Sequence, residues 1–255
     1  MSWGNFCFIP GLKKWDENAR NYMLGWLPTV GMAIGICWGL AYFLLLTFGI
    51  PAIASGAVLA WIPFLASGFM HADGFMDCSD ALLSRGDLEK KRMILKDSHI
   101  GGFAVICLIF LILIDFGFIC TAFVQGIDFI NLIIIALVSR SVSALSVLCG
   151  KPMDTSQYAE AAPAVSDETD LPDDTPASKK SSILLLVAQL VIYLIICTFL
   201  LTYYLGSLFV LVGTAIGTLI PILIAKKQLG GISGDIAGYG ICWGELFGII
   251  CLIFC

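Results

Sequence analysis

The sequence predicts an all-α, polytopic integral membrane protein of about seven transmembrane helices, with its N-terminus in the cytoplasm. Three observations carry that reading. Of 255 residues, 59% are hydrophobic and only 13% are charged, whereas soluble domains carry roughly a quarter charged residues. The apolar residues run in blocks of about twenty, the length that crosses a hydrocarbon core of roughly 30 Å as a helix. Lys and Arg fall almost wholly in alternate connections between those blocks, as the positive-inside bias requires.

The first block runs from Leu24 to Ile50, after Lys13, Lys14 and Arg20. A short turn at 48–52 leads to the second, Ile53 to Met70. A polar connection at 71–99 holds Arg85, Lys90, Lys91, Arg92 and Lys96, and the third block follows from Ile100 to Phe123. The turn at 124–128 has no Lys or Arg, and the fourth block spans Phe129 to Cys149. The connection at 150–182 then carries Lys151, Lys179 and Lys180. The fifth block runs from Ile183 to Tyr204 and the sixth from Leu208 to Ala225. Lys226 and Lys227 precede the seventh, Ile236 to Cys255. An even number of spans separates every basic segment, so all of them face one side.

The whole chain, 1–255, reads as a single membrane-embedded catalytic domain. Within it, 151–182 holds three basic and seven acidic groups among four prolines, which accounts for most of the formal net charge of −5. Such a stretch cannot bury enough surface to offset its ordering entropy, so it is expected to be a mobile acidic cytoplasmic loop. No basic patch with interleaved aromatics is present, which argues against a nucleic-acid partner. The ten cysteines sit mostly inside apolar runs without C-x-x-C spacing, as expected of reduced residues packed among helices.

The densest polar cluster begins where the second block ends, from Gly68 to Asp80. If it is helical, Asp73, Asp77 and Asp80 fall at i, i+4 and i+7, on one stripe about 10 Å long. Stacked carboxylates repel unless a cation neutralises them, and hard oxygen ligands suit Mg²⁺, Mn²⁺ or Ca²⁺. Such a stripe also suits a pair of ions acting at phosphorus. His71, just before it, is a candidate for orienting a substrate phosphate, with an interfacial histidine as the alternative.

Further along the same connection, Asp87 is a plausible N-cap, and Lys96 is a candidate phosphate contact. Asp97 and Ser98 stand at the start of the third block, as a metal ligand or base or as a plain helix cap. Gly230 to Asp235 returns to the same depth. Its glycines, Gly234 among them, let backbone N–H groups approach phosphate, and Asp235 adds a carboxylate. Arg140 and Glu245 lie inside spans, where charge is costly and usually paired or functional. Arg140 either pairs with Glu245 or reaches a substrate phosphate. Asp115 is expected to hydrogen-bond locally in its own span.

These residues resemble the cobalamin synthase family, the adenosylcobinamide-GDP ribazoletransferases. The resemblance runs along nearly the whole chain, from Phe8-Ile9-Pro10 and Tyr22 to Gly31 onward. It is strongest where His71-Ala72-Asp73-Gly74-Phe75-Met76-Asp77-Cys78-Ser79-Asp80 and Leu95-Lys96-Asp97-Ser98-His99-Ile100-Gly101 are similar to the family's acidic and M-K-D-S-R motifs. Ser139-Arg140, and Gly230-Gly231-Ile232-Ser233-Gly234-Asp235 with Glu245, resemble its later motifs. The chain departs in having Phe69 for a usual glycine, His99 for arginine and Ser233 for threonine.

The resemblance implies transfer of the adenosylcobinamide-phosphate group from adenosylcobinamide-GDP to α-ribazole or its 5′-phosphate. GMP is released and adenosylcobalamin or its 5′-phosphate is formed, late in cobalamin biosynthesis. It implies Mg²⁺ as cofactor, with Asp73, Asp77 and Asp80 as ligands and Asp80 or Asp97 as base, beside His71. Lys96, Ser98, Arg140, Gly234, Asp235 and Glu245 are the expected substrate contacts. The implied location is the inner or plasma membrane, multi-pass, with a cytoplasmic active site. Membrane lipid, a second copy of the chain and other corrinoid-assembly enzymes are the expected partners. The competing readings are a CDP-alcohol type membrane phosphotransferase and, from another class, a transporter with midplane carboxylates.

Overall fold

The computed structural model describes residues 23–154 and 206–255, together with 181, 183–189 and 191. Eight α-helices are complete among these residues. They are α1 (Leu27–Thr47, entered by a 3-10 turn at Leu24–Trp26), α2 (Ala52–Ala66), α3 (Met70–Leu83), α4 (Leu88–Lys96), α5 (Gly102–Gln125), α6 (Ile130–Cys149), α7 (Ser207–Leu229) and α8 (Gly234–Leu252). The entry turn and α1, together with α5, α6, α7 and α8, give five helices long and apolar enough to cross a membrane; the bent pair α2–α3 makes a sixth candidate. Several apolar crossings make this a multi-pass membrane protein. The expected fifth span, Ile183 to Tyr204, falls mostly outside the described residues, as do the N-terminal basic residues and most of the acidic loop.

Helices α6 and α8 are central: 67% of the apolar window of each is buried, against 22% for α5. Two small-residue faces let their neighbours approach closely. Gly31 and Gly35 of α1 lie against Ala136 and Ile133 of α6, and Gly39 against Phe129 just before it; a Cβ on Gly35 would stand 2.6 Å from the Ile133 Cα. Gly240, Gly244 and Gly248 of α8 lie against Ile222, Thr218 and Thr214 of α7. Without water to squeeze out, helices in lipid associate through such close backbone packing. The Thr214 and Thr218 hydroxyls donate to carbonyls one turn back, at 2.7 and 2.8 Å, so neither is left unsatisfied.

The described basic connections share one end of the bundle. Arg92 of α4 donates from Nε to the Leu229 carbonyl at 2.9 Å, and Lys91 reaches Gln228 at 2.7 Å. A cation is favoured at a helix C-terminus, where carbonyls lack partners, so Arg92 caps α7. Lys151 and Met153 exchange backbone hydrogen bonds with Ile232, each at 3.0 Å. The start of the acidic loop is therefore pinned to the Gly-rich turn before α8. Gly206 and Cys255 meet at the opposite end, as the alternation of basic connections requires.

The second apolar segment, expected to run from Ile53 to Met70, ends as a helix at Ala66, and the acidic stretch forms a separate helix. The chain turns by 90° between α2 and α3. Gly68 and Phe69 both adopt left-handed backbone there, with φ of 61° and 62°. For Phe69 this geometry costs roughly 1–2 kcal/mol. Its ring meets Trp61 edge-on at 6.0 Å.

Candidate active site

Past the bend, α3 packs along the first turns of α8 and against α5, and its carboxylates line one side of a cavity. Asp73, Asp77 and Asp80 line it on one side; Ile94, His99, Ile100, Gly101 and Ala104 line it from α4, the following loop and α5. Its enclosed space is about 20 Å³, room for little more than one water-sized group. A substrate must therefore lie mostly outside it.

Gly74 sets the distance between α3 and α8. A Cβ at this position would stand 2.9 Å from the Asp235 Cα and carbonyl oxygen. Asp235 is thus carried up beside α3, in the first turn of α8, where Ser233 caps the helix by accepting from the Ile236 N–H at 3.3 Å. The Ser233 hydroxyl also donates to Asp235 Oδ2 at 3.3 Å. Asp77 shows the result electrostatically. Burial first, and then the charges of Asp73, Asp235 and Asp80, push its carboxyl up to about 6.

The donor chemistry therefore suits a hard divalent cation, whose charge would relieve that repulsion. The set is open, however: among the described residues no three His, Cys, Asp or Glu side chains converge on one metal position.

On the far wall, Gly101 lies against the Asp80 carboxylate, and a Cβ on Gly101 would overlap both of its oxygens. Sequence reasoning did not single out Gly101; its signal was the D-S-x-x-G spacing. Lys96, Asp97 and Ser98 are exposed on the stretch leading to it and do not line the cavity. Asp97 is instead engaged by His99, which donates its backbone N–H at 3.0 Å and places Nδ1 2.7 Å from the same oxygen. Those contacts hold the Asp97 carboxyl below the usual range. His99, standing where the family motif has arginine, lines the cavity.

Arg140 and Glu245 are deeper in the bundle. Arg140 Nη1 donates to Glu245 Oε1 at 2.6 Å, and both side chains are buried. Of the two roles left open for Arg140, this structure contains the ion pair. Asp115 is buried too, and among the described residues its Oδ1 has no hydrogen-bond partner. His71 is buried at the start of α3, its backbone against Gly238 of α8. Gly234 is exposed at the first position of α8.

A family model described as cobalamin-5-phosphate synthase matches residues 1–253. An adenosylcobinamide-GDP ribazoletransferase of Clostridium perfringens (strain SM101 / Type A) is 35% identical over 255 residues, covering 99% of this chain and 95% of the relative. The protein of that name from Clostridium botulinum (strain Alaska E43 / Type E3) is 31% identical, covering 98% and 94%. The one from Geobacillus sp. (strain WCH70) is 28% identical, covering 90% and 85%. No solved structure gives a significant match.

Proposed function

The chain belongs to the cobalamin-5-phosphate synthase family, and we propose that its acidic cavity is where it acts as an adenosylcobinamide-GDP ribazoletransferase. It transfers the adenosylcobinamide-phosphate group from adenosylcobinamide-GDP to α-ribazole or its 5′-phosphate. GMP leaves, and adenosylcobalamin or its 5′-phosphate forms. The observation that carries the placement is the convergence of Asp73, Asp77 and Asp80 on one cavity, with Asp235 brought alongside by Gly74.

In-line attack at phosphorus needs charge neutralisation and a positioned hydroxyl more than covalent help from the protein. Mg²⁺, held by Asp73, Asp77 and Asp80, would supply the neutralisation when bound. Asp80 is the better placed of the two base candidates, since it lines the cavity whereas Asp97 is exposed and already engaged by His99. The backbone at Gly234 and the exposed Lys96 and Ser98 are the proposed contacts for the nucleotide part. The basic connections gathered at this end of the bundle support reading it as the cytoplasmic side of the cell membrane.

The test is GMP release from adenosylcobinamide-GDP and α-ribazole 5′-phosphate by the purified protein in detergent. Turnover should need added Mg²⁺ and fall at least about 100-fold in Asp77→Asn. Turnover that survives both chelation and Asp77→Asn would refute the reading.

A further inference from the structure

Among the described residues, three buried nitrogens outside the acidic cavity have hydrogen-bonding capacity that no neighbour uses. Arg140 is wholly buried; its Nη1 serves Glu245, the Ala136 carbonyl at 3.1 Å and Ser139 Oγ at 3.3 Å, while Nε and Nη2 have no partner. His71 is 5% exposed, and its Nδ1 has no partner either. Both residues sit on one face of α8, where Gly238, Cys242 and Glu245 fall at i, i+4 and i+7. The His71 backbone lies 3.2 Å from the Cβ position of Gly238, and its carbonyl accepts from Cys242 Sγ at 3.4 Å. Glu245, about 4.5 Å further along the helix, holds Arg140.

A guanidinium nitrogen can only donate, and a neutral imidazole accepts through whichever nitrogen lacks the proton. Buried donors without acceptors are costly, at about 1–3 kcal/mol each. The two sets are therefore complementary. We propose that Arg140 is a positioning residue for His71. Its Nε–H and Nη2–H hold His71 Nδ1 as an acceptor across one bridging water, which places the ring proton on Nε2. Three polar partners are enough to hold a buried water. His71 then presents Nε2–H as a fixed hydrogen-bond donor two residues before Asp73, and Glu245 keeps Arg140 in place for that task. The turnover arm of the test rests on the transferase reading; the spectroscopic arm does not.

The measurement is ¹⁵N NMR of ring nitrogens in the full chain, labelled at histidine, in detergent micelles. The sequence has two histidines, so His99→Asn assigns the ring of His71. The expected spectrum has an unprotonated Nδ1 and a protonated Nε2. In Arg140→Gln/Glu245→Gln, which removes both charges together, the two tautomers should interconvert and the nitrogen shifts average. A wild-type ring protonated on Nδ1 overturns the proposal, as do wild-type ring shifts in the double variant. If the double variant does not fold, the wild-type tautomer alone decides. In GMP release, His71→Gln, which keeps a donor near Nε2, should exceed His71→Asn by about tenfold; equal losses overturn the Nε2 role. Wild-type turnover, measured alongside, shows separately whether the transferase reading holds.

Discussion

Arg140 Nη1 and Glu245 Oε1 stand 2.6 Å apart across 105 residues of sequence, tying α6 to α8 with both side chains buried. Breaking such a pair strands the remaining charge in a medium that cannot solvate it. Glu245→Leu or Arg140→Leu is expected to cost about 3 kcal/mol each. Arg140→Leu/Glu245→Leu should cost clearly less than the two losses added. Thermal unfolding of the four proteins in one detergent measures that coupling.

Gly101 separates folding from turnover. The three atoms nearest a Cβ at this position all belong to the Asp80 carboxylate, so Gly101→Ala must displace that side chain of the cavity. A displacement of about 1 Å at a reacting centre typically lowers rate by around 100-fold. GMP release should fall by one to two orders of magnitude, with the unfolding temperature unchanged within a degree or two.

Asp77 should make the metal-free protein less stable as pH rises. Its carboxyl titrates near 6 in the folded state, against about 3.9 when unfolded, so the native state holds the proton more tightly. The stability this proton confers is full below about pH 4 and is lost as pH climbs through 6. Asp77 is only half-buried, so screening leaves roughly 1 kcal/mol of that difference. Between pH 4.5 and 7 the wild type should lose more thermal stability than Asp77→Asn. Parallel curves would contradict this account.

Two glycines in apolar helices should respond oppositely to the same change. Gly35→Ala puts a methyl 2.6 Å from the Ile133 Cα, so α1 and α6 must separate. Gly117, in the middle of α5, has no atom of another described segment within 4 Å of its Cβ position. Gly35→Ala should destabilise by about 1–3 kcal/mol. Gly117→Ala should stabilise by about 0.5 kcal/mol, through helix propensity alone. Melting temperatures shifting in opposite directions are the expected result.

Much of the candidate site was legible because its chemistry is carried by local spacing. Asp73, Asp77 and Asp80 repeat at helical intervals, and the structure keeps them on one helix facing one cavity. What spacing could not show was the bend. Gly68 is an ordinary signal for a turn, but Phe69 in left-handed backbone contradicts its own propensity; tertiary packing overrides it. Nor could sequence show that Asp97 turns away to His99 while Gly101 faces Asp80, since neighbours in sequence were placed on different sides of the cavity wall.

By itself the sequence determined the class of molecule, the position of most spans and the grouping of basic connections at one end. These follow from transfer of each segment between water and lipid, a property additive along the chain. Only the tertiary structure decided that Arg140 meets Glu245, that Asp235 rides beside α3 on the bare face of Gly74, and that the second span breaks by 90°. Those outcomes depend on which helix faces touch. In lipid that is set by close packing and by the pairing of buried polar groups, which no single segment contains.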